Sequence, residues 1–91
     1  MRTVWKFELK VGMNKIKIPT VSEMLTVGEQ EGKIMMWAEV DSKDKETERV
    51  FLVVGTGEEI GEDLALDYMG STKVEHKERK VMQVWHVFEI L

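Results

Sequence analysis

The chain has 91 residues, is 43% hydrophobic and 33% charged, and carries a formal net charge of −4. That describes one globular domain over residues 1–91, with too little chain for two cores and too much apolar content for disorder. The absence of cysteine excludes disulfides, a thiolate nucleophile and cysteine-ligated zinc, and no apolar run approaches the ~20 residues of a membrane-spanning helix.

Residues 1–20 hold five bases against one acid, and residues 21–72 hold thirteen acids against four bases. Duplex nucleic acid, which demands a broad basic surface, is therefore not expected as a partner. A small anionic ligand needs only a local basic patch and stays possible. Charges interrupt the apolar pattern of residues 1–10, leaving no signal-peptide core, so a cytoplasmic location is expected.

Residues 3–10 alternate as a strand, with Trp5, Phe7 and Leu9 on one face. Val11-Gly12-Met13-Asn14 holds turn residues, which predicts that residues 15–18 return as a hairpin partner ended by Pro19. Lys6, Lys10, Lys15 and Lys17 would line one side of this hairpin, either as guards of a solvated edge or as an anion-binding face. A second hairpin is expected over residues 24–30 and 33–40, turning at Glu31-Gly32. In its second arm Ile34, Met36, Ala38 and Val40 oppose Met35 and Trp37. Residues 41–47 read as a solvated loop without the anchored ligands of a metal site. Residues 48–54 read as a strand with Phe51 and Val53 opposing Val50, Leu52 and Val54.

Residues 55–67, GTGEEIGEDLALD, break the β pattern with three glycines and five acids. Gly55-Thr56-Gly57 resembles a nucleotide loop only superficially: Ile60 stands where the dinucleotide fingerprint needs a third glycine, and the acids would repel phosphate. Thr56 and Glu59 have capping-box spacing, weakened by Gly61, so a single helical turn around residues 62–66 is expected. Residues 68–74 resume a strand and residues 76–80 make a charged turn.

Residues 81–91, VMQVWHVFEIL, form the longest apolar run and read as the last strand. Met82, Val84, His86, Phe88 and Ile90 share one face, assigned to the core with His86 as a polar member needing a partner. Val81, Gln83, Trp85, Val87 and Glu89 share the other, assigned to a subunit contact or pocket wall. The fold expected is mainly β: an antiparallel sandwich or partly open barrel of about seven short strands with at most one short helix. Strands apolar on both faces, with Trp37, Phe51, Trp85 and Val87 left wet in a monomer, predict a homo-oligomer.

No P-loop, Ser-His-acid arrangement or helical HExxH pair is present. No catalytic residue, metal or cofactor is expected, and the chain is not read as an enzyme. The six methionines beyond Met1 read as core filling rather than a binding surface.

VWKFEL at 4–9, WAEVD at 37–41, VVGTG at 53–57 and WHVFE at 85–89 together resemble a family of small phage and prophage proteins of unassigned activity. The resemblance covers almost the whole chain. Many members carry a His after the GTG turn; Glu58 stands there in this chain, so any site served by that His is altered or absent. The resemblance implies viral origin and a place in the cytoplasm of an infected bacterium. By analogy it points to a non-enzymatic sponge for a nucleotide-derived immune signal, with ligand-binding residues Lys6, Lys17, Thr56, Gly57, Trp85 and His86. The alternative is a protein–protein module, inhibiting a host factor or serving the virion, whose contact is the acidic 58–67 segment.

Overall fold

A computed structural model describes residues 1–76 and 78–91. Seven antiparallel strands form two sheets: β1 (Arg2–Leu9), β2 (Gly12–Pro19), β3 (Ser22–Gln30), β4 (Lys33–Asp41), β5 (Glu46–Gly55), β6 (Leu66–Glu75) and β7 (Met82–Ile90). The three-stranded sheet runs β1-β4-β3 and the four-stranded sheet β2-β5-β7-β6. The protein is a β-sandwich, one of the two architectures expected from the sequence, and no helix occurs among the described residues. The turn expected to be helical is a plain turn closed by Leu64 N–H donating to Gly61 O at 3.2 Å. The expected charged turn at 76–80 includes Lys77, which lies outside the described residues.

The hairpins β3–β4 and β6–β7 form, but the expected β1–β2 hairpin does not. β1 pairs with β4, and β2 with β5. The reason is burial. A hairpin would lay the apolar sides of both strands in one plane, whereas an arch between sheets faces Trp5, Phe7 and Leu9 toward Ile16 and Ile18 across the core. Asn14 clamps this arch: its Oδ1 accepts from Lys10 N–H at 2.8 Å and its Nδ2 donates to Lys10 O at 2.8 Å. Gly12, at φ +94°, supplies the left-handed backbone that the short link requires. A second arch, β4–β5, locks onto the β2–β3 link. There Asp44 Oδ2 accepts from Val21 N–H at 2.8 Å, and Lys45 O accepts from both Thr20 N–H and the Thr20 hydroxyl at 2.9 Å.

Between the sheets lie Leu9, Ile18, Ile34, Met36, Ala38, Val40, Phe51, Val53 and Val87. The face-sharing sets of β4 and β5 are those of the sequence pattern, with the Phe51 and Val53 set of β5 turned inward. β7 reverses the expected assignment. Val53 pairs with Val87 and Phe51 with Glu89, so the odd residues of β7 point inward and the even residues point out. Three of the four side chains expected on outer faces are thus interior: Phe51 and Val87 are fully buried, and Trp85 packs against the core. Trp37 does point out, but it lies over Gly28, where a Cβ would come within 3.3 Å of its ring. Met24, Met35, Met36 and Met69 join the packing, whereas Met13 and Met82 are exposed.

Glu89, although charged, is interior because Arg49 follows it there. The guanidinium donates to both carboxylate oxygens at 2.6 Å and to Ser22 Oγ on the opposite sheet at 2.9 Å. Hydrogen bonding to Glu89, outweighing burial, raises the Arg49 pKa.

The two sheets meet closely along one side only. Gly70 of β6 approaches Val27 of β3 so nearly that a Cβ at Gly70 would sit 3.1 Å from the Val27 Cβ. On the other side β1 and β2 are both unpaired sheet edges, and Trp5, Phe7 and Ile16 there are only half-buried. The result is a flattened slab of 43 × 33 × 16 Å with a radius of gyration of 13.7 Å, against about 12 Å for a compact chain of this length.

Candidate functional site

β6 and β7 build the most distinctive polar feature of the molecule. His86 projects from the outer face of the four-stranded sheet. Its Nε2 lies 2.8 Å from Thr56 Oγ1 and its Nδ1 lies 2.8 Å from Ser71 Oγ. Ser71 Oγ is in turn 2.7 Å from the Tyr68 hydroxyl. Four side chains from three segments thus form one hydrogen-bonded chain. Thr56 is held at the end of β5, where its N–H donates to Val84 O at 3.3 Å and the Gly55–Glu58 turn closes at 3.1 Å. Gly57, at φ +90°, makes that turn possible.

The chain has two directions. Neutral imidazole donates from one nitrogen and accepts at the other. If Nε2 carries the proton, Thr56 accepts and its own hydroxyl hydrogen is left free, while Tyr68 donates inward to Ser71. If Nδ1 carries it, Ser71 accepts and the free hydrogen appears on Tyr68 instead. The tautomer of His86 therefore decides which end of the chain offers a donor to solvent or to a ligand.

The surroundings combine apolar and basic groups. Tyr68 is 59% exposed, and its ring packs at 5.6 Å against Phe88. Lys73, exposed and paired with Val84, lies two residues beyond Ser71 on the same face. Leu52 and Val54 of β5 also point outward but are 9% and 7% exposed. β5 and β6 run parallel with β7 between them, so residues 56–65 must return along the length of β7. Because the inner face is filled by core, that return passes on the outer side, with Ile60 and Leu64 half-buried.

The six residues singled out from the sequence separate into distinct places. Thr56, Gly57 and His86 come together. Trp85, adjacent to His86 but on the opposite face, instead lines a cleft of about 470 Å³ between the sheets, with Leu9, Ile34 and Val74. Lys10 and Lys33 at the rim of that cleft are both engaged by Glu8; the hydrogen bond from Lys10 in particular holds the Glu8 carboxyl below its ordinary pKa. Lys6 lies on the other sheet, donating to Gln30 Oε1 at 2.7 Å. Lys17 shares the outer face with His86 but pairs with Glu48, six residues along β5 from His86's partner Val54, or about 20 Å.

Sequence reasoning missed Tyr68 and Ser71. Strict alternation puts positions three apart on opposite faces. The ladder, however, slips between Tyr68 and Gly70, and this bulge turns Ser71 onto the face of Tyr68. Gly70, inside an otherwise regular strand, was the available signal.

Among the described residues no cluster of three or more His, Cys, Asp or Glu could hold a metal ion. Asp41, in the expected solvated loop, is instead tied to the N-terminal ammonium at 2.8 Å and to Lys43 N–H at 3.1 Å. These hydrogen bonds, that of the ammonium first, lower its pKa. Among the described residues no helix is long and apolar enough to cross a membrane.

No curated protein and no solved structure matched the chain. A family model described as a domain of unknown function, DUF7352, matches residues 1–90, and the protein belongs to that family.

Proposed function

We propose that this protein binds a small anionic, nucleotide-like ligand without transforming it, on the outer face of β6 and β7. The observation that carries the reading is the Tyr68–Ser71–His86–Thr56 chain. It presents a stacking ring, a switchable set of hydroxyl donors and acceptors, and Lys73 within one strand repeat of Ser71. Stacking on an exposed aromatic contributes roughly 1–3 kcal/mol per base, and a lysine supplies a point charge for phosphate. With the resemblance to phage proteins, this suits an oligomeric sponge that sequesters a nucleotide-derived immune signal in the host cytoplasm. Thermal-shift screening of nucleotides and cyclic nucleotides tests it. A hit should raise the melting temperature, be released intact on heating, and be lost in His86→Ala and Tyr68→Ala but retained in Lys6→Ala. Silence across the panel refutes ligand binding, and recovery of a converted ligand refutes the non-enzymatic part.

A second reading, a protein-binding module, is favoured by the return segment. Glu58, Glu59, Glu62 and Asp63 are all exposed, and among the described residues none is in an ion pair. Capture of a host protein that is lost on charge reversal of these four would support it.

A further inference from the structure

The free edge of β1 has a property that goes beyond any ligand site: it is complementary to itself. We propose that two copies of this protein pair antiparallel through β1, joining their three-stranded sheets into one continuous six-stranded sheet about a two-fold axis at Trp5.

The proposal begins with what the fold leaves unpaired. Of the four sheet edges, β3 and β6 close against each other at Val27 and Gly70, while β1 and β2 stay open on the opposite side. Along such an edge, alternate residues aim N–H and C=O groups at solvent. β2 is guarded. Pro19 lacks a donor, and Lys15 and Lys17 are exposed and, among the described residues, outside any ion pair. β1 is not guarded in this way, because its cations are drawn inward over its own sheet. Arg2 binds Glu39 of β4 and Lys6 binds Gln30 of β3.

The side chains of β1 then define the register. Centring the pair on Trp5 sets Arg2 opposite Glu8 of the second copy, Thr3 opposite Phe7, Val4 opposite Lys6, and Trp5 opposite Trp5. Opposite charges meet twice, no like charges face each other, and aromatic rings fall beside β-branched or aromatic partners, the favoured cross-strand combinations. On the inner face the second copy's Trp5 and Phe7 arrive where Trp5, Phe7 and Ile16 are only half-buried, extending the core across the open side of the slab.

The surface area agrees. The chain exposes 6200 Å² at a mass of 10.6 kDa, whereas a globular monomer of that mass exposes about 5500 Å². The excess of roughly 700 Å² approaches the ~800 Å² per partner of a standard interface.

The chain has no native cysteine, so crosslinking can read the register directly. Directly opposed strand residues have Cα atoms ~4.5–5.5 Å apart, within disulfide reach. Under mild oxidation, an equimolar mixture of V4C and K6C proteins should give a covalent dimer in high yield, while V4C alone should give at least tenfold less. Equal yields, or no dimer in either, overturn the register. Analytical ultracentrifugation supplies the second arm. R2E and E8R should each shift the wild-type dimer toward monomer, and an equimolar mixture of the two should form heterodimer. The acids at positions 2 and 8 of one copy then face bases at positions 8 and 2 of the other, while each chain keeps the same loss of its own Glu39 or Lys10 and Lys33 pairing. A wild-type monomer at tens of micromolar, or a mixture of R2E and E8R that associates no more strongly than either variant alone, overturns the proposal. Neither outcome bears on the ligand site of β6 and β7.

Discussion

Removing the Glu89 carboxylate should be among the most damaging single changes in this protein. Glu89 is 8% exposed and receives two hydrogen bonds at 2.6 Å from Arg49, whose side chain is 26% exposed. Glu89→Ala deletes both and leaves a guanidinium between the sheets with only Ser22 Oγ as a neutral acceptor. Breaking a buried pair from one side costs about 3–5 kcal/mol. Because Arg49 keeps some access to water, the lower end, about 3 kcal/mol, applies. For a domain of this size that corresponds to a fall in melting temperature of roughly 12–24 °C, against a total stability of about 5–15 kcal/mol. Urea denaturation should show a lower midpoint at an unchanged slope. The double variant Arg49→Met/Glu89→Leu leaves no charge stranded and should recover most of the loss. The reasoning is refuted if Glu89→Ala lies within 1 kcal/mol of the wild type, or if the double variant is no more stable than Glu89→Ala. The Arg49 contribution should also be insensitive to ordinary pH. A raised Arg49 pKa stabilises the fold at all pH values below it and is lost only far above the working range.

Gly70→Ala should destabilise by about 1–3 kcal/mol, because φ is +154° there and the new Cβ meets Val27 at 3.1 Å; the urea midpoint reads this. Asn14→Ala should lose about 1–3 kcal/mol, as the Lys10 amide and carbonyl at the β1–β2 arch lose their side-chain partners; no change in midpoint would mean water replaces them fully. Asp41 and Glu8 have lowered pKa values, so their contribution is present above the ordinary carboxylate range and lost as pH falls below about 4. Asp41→Asn should therefore flatten the acid limb of a stability–pH profile while leaving its shape near neutrality unchanged. His86→Ala should abolish the melting shift of any nucleotide that binds, and Trp85→Ala should instead lower the melting temperature of the free protein, since Trp85 packs on the core.

Much of the architecture was legible because strand alternation is a local property. That Ile34, Met36, Ala38 and Val40 share one face, and Phe51 and Val53 another, follows from side chains spaced by two, and the β3–β4 turn follows from Gly32. The His86–Thr56 association was legible only in part. Both residues stood out, but the register that adds Ser71 and Tyr68 depends on a bulge that alternation cannot place.

The sequence by itself determined the class of this protein: mainly β, about seven antiparallel strands in a sandwich or a partly open barrel, and a last strand apolar on both sides. Tertiary structure decided which side is which. Period-two alternation divides VMQVWHVFEIL into two sets but cannot orient them, and Glu89 weighs against the inward choice that the structure makes. Pairing with β5 settles it, because Val87 must sit beside Val53, and Arg49 is in place to receive Glu89. The same holds for β1 and β2. Their short link allows a hairpin or an arch, and only the pairing of each with a distant strand, β4 or β5, selects the arch that buries both apolar faces. Local chemistry sets the alternatives; long-range pairing, which the sequence does not print, chooses among them.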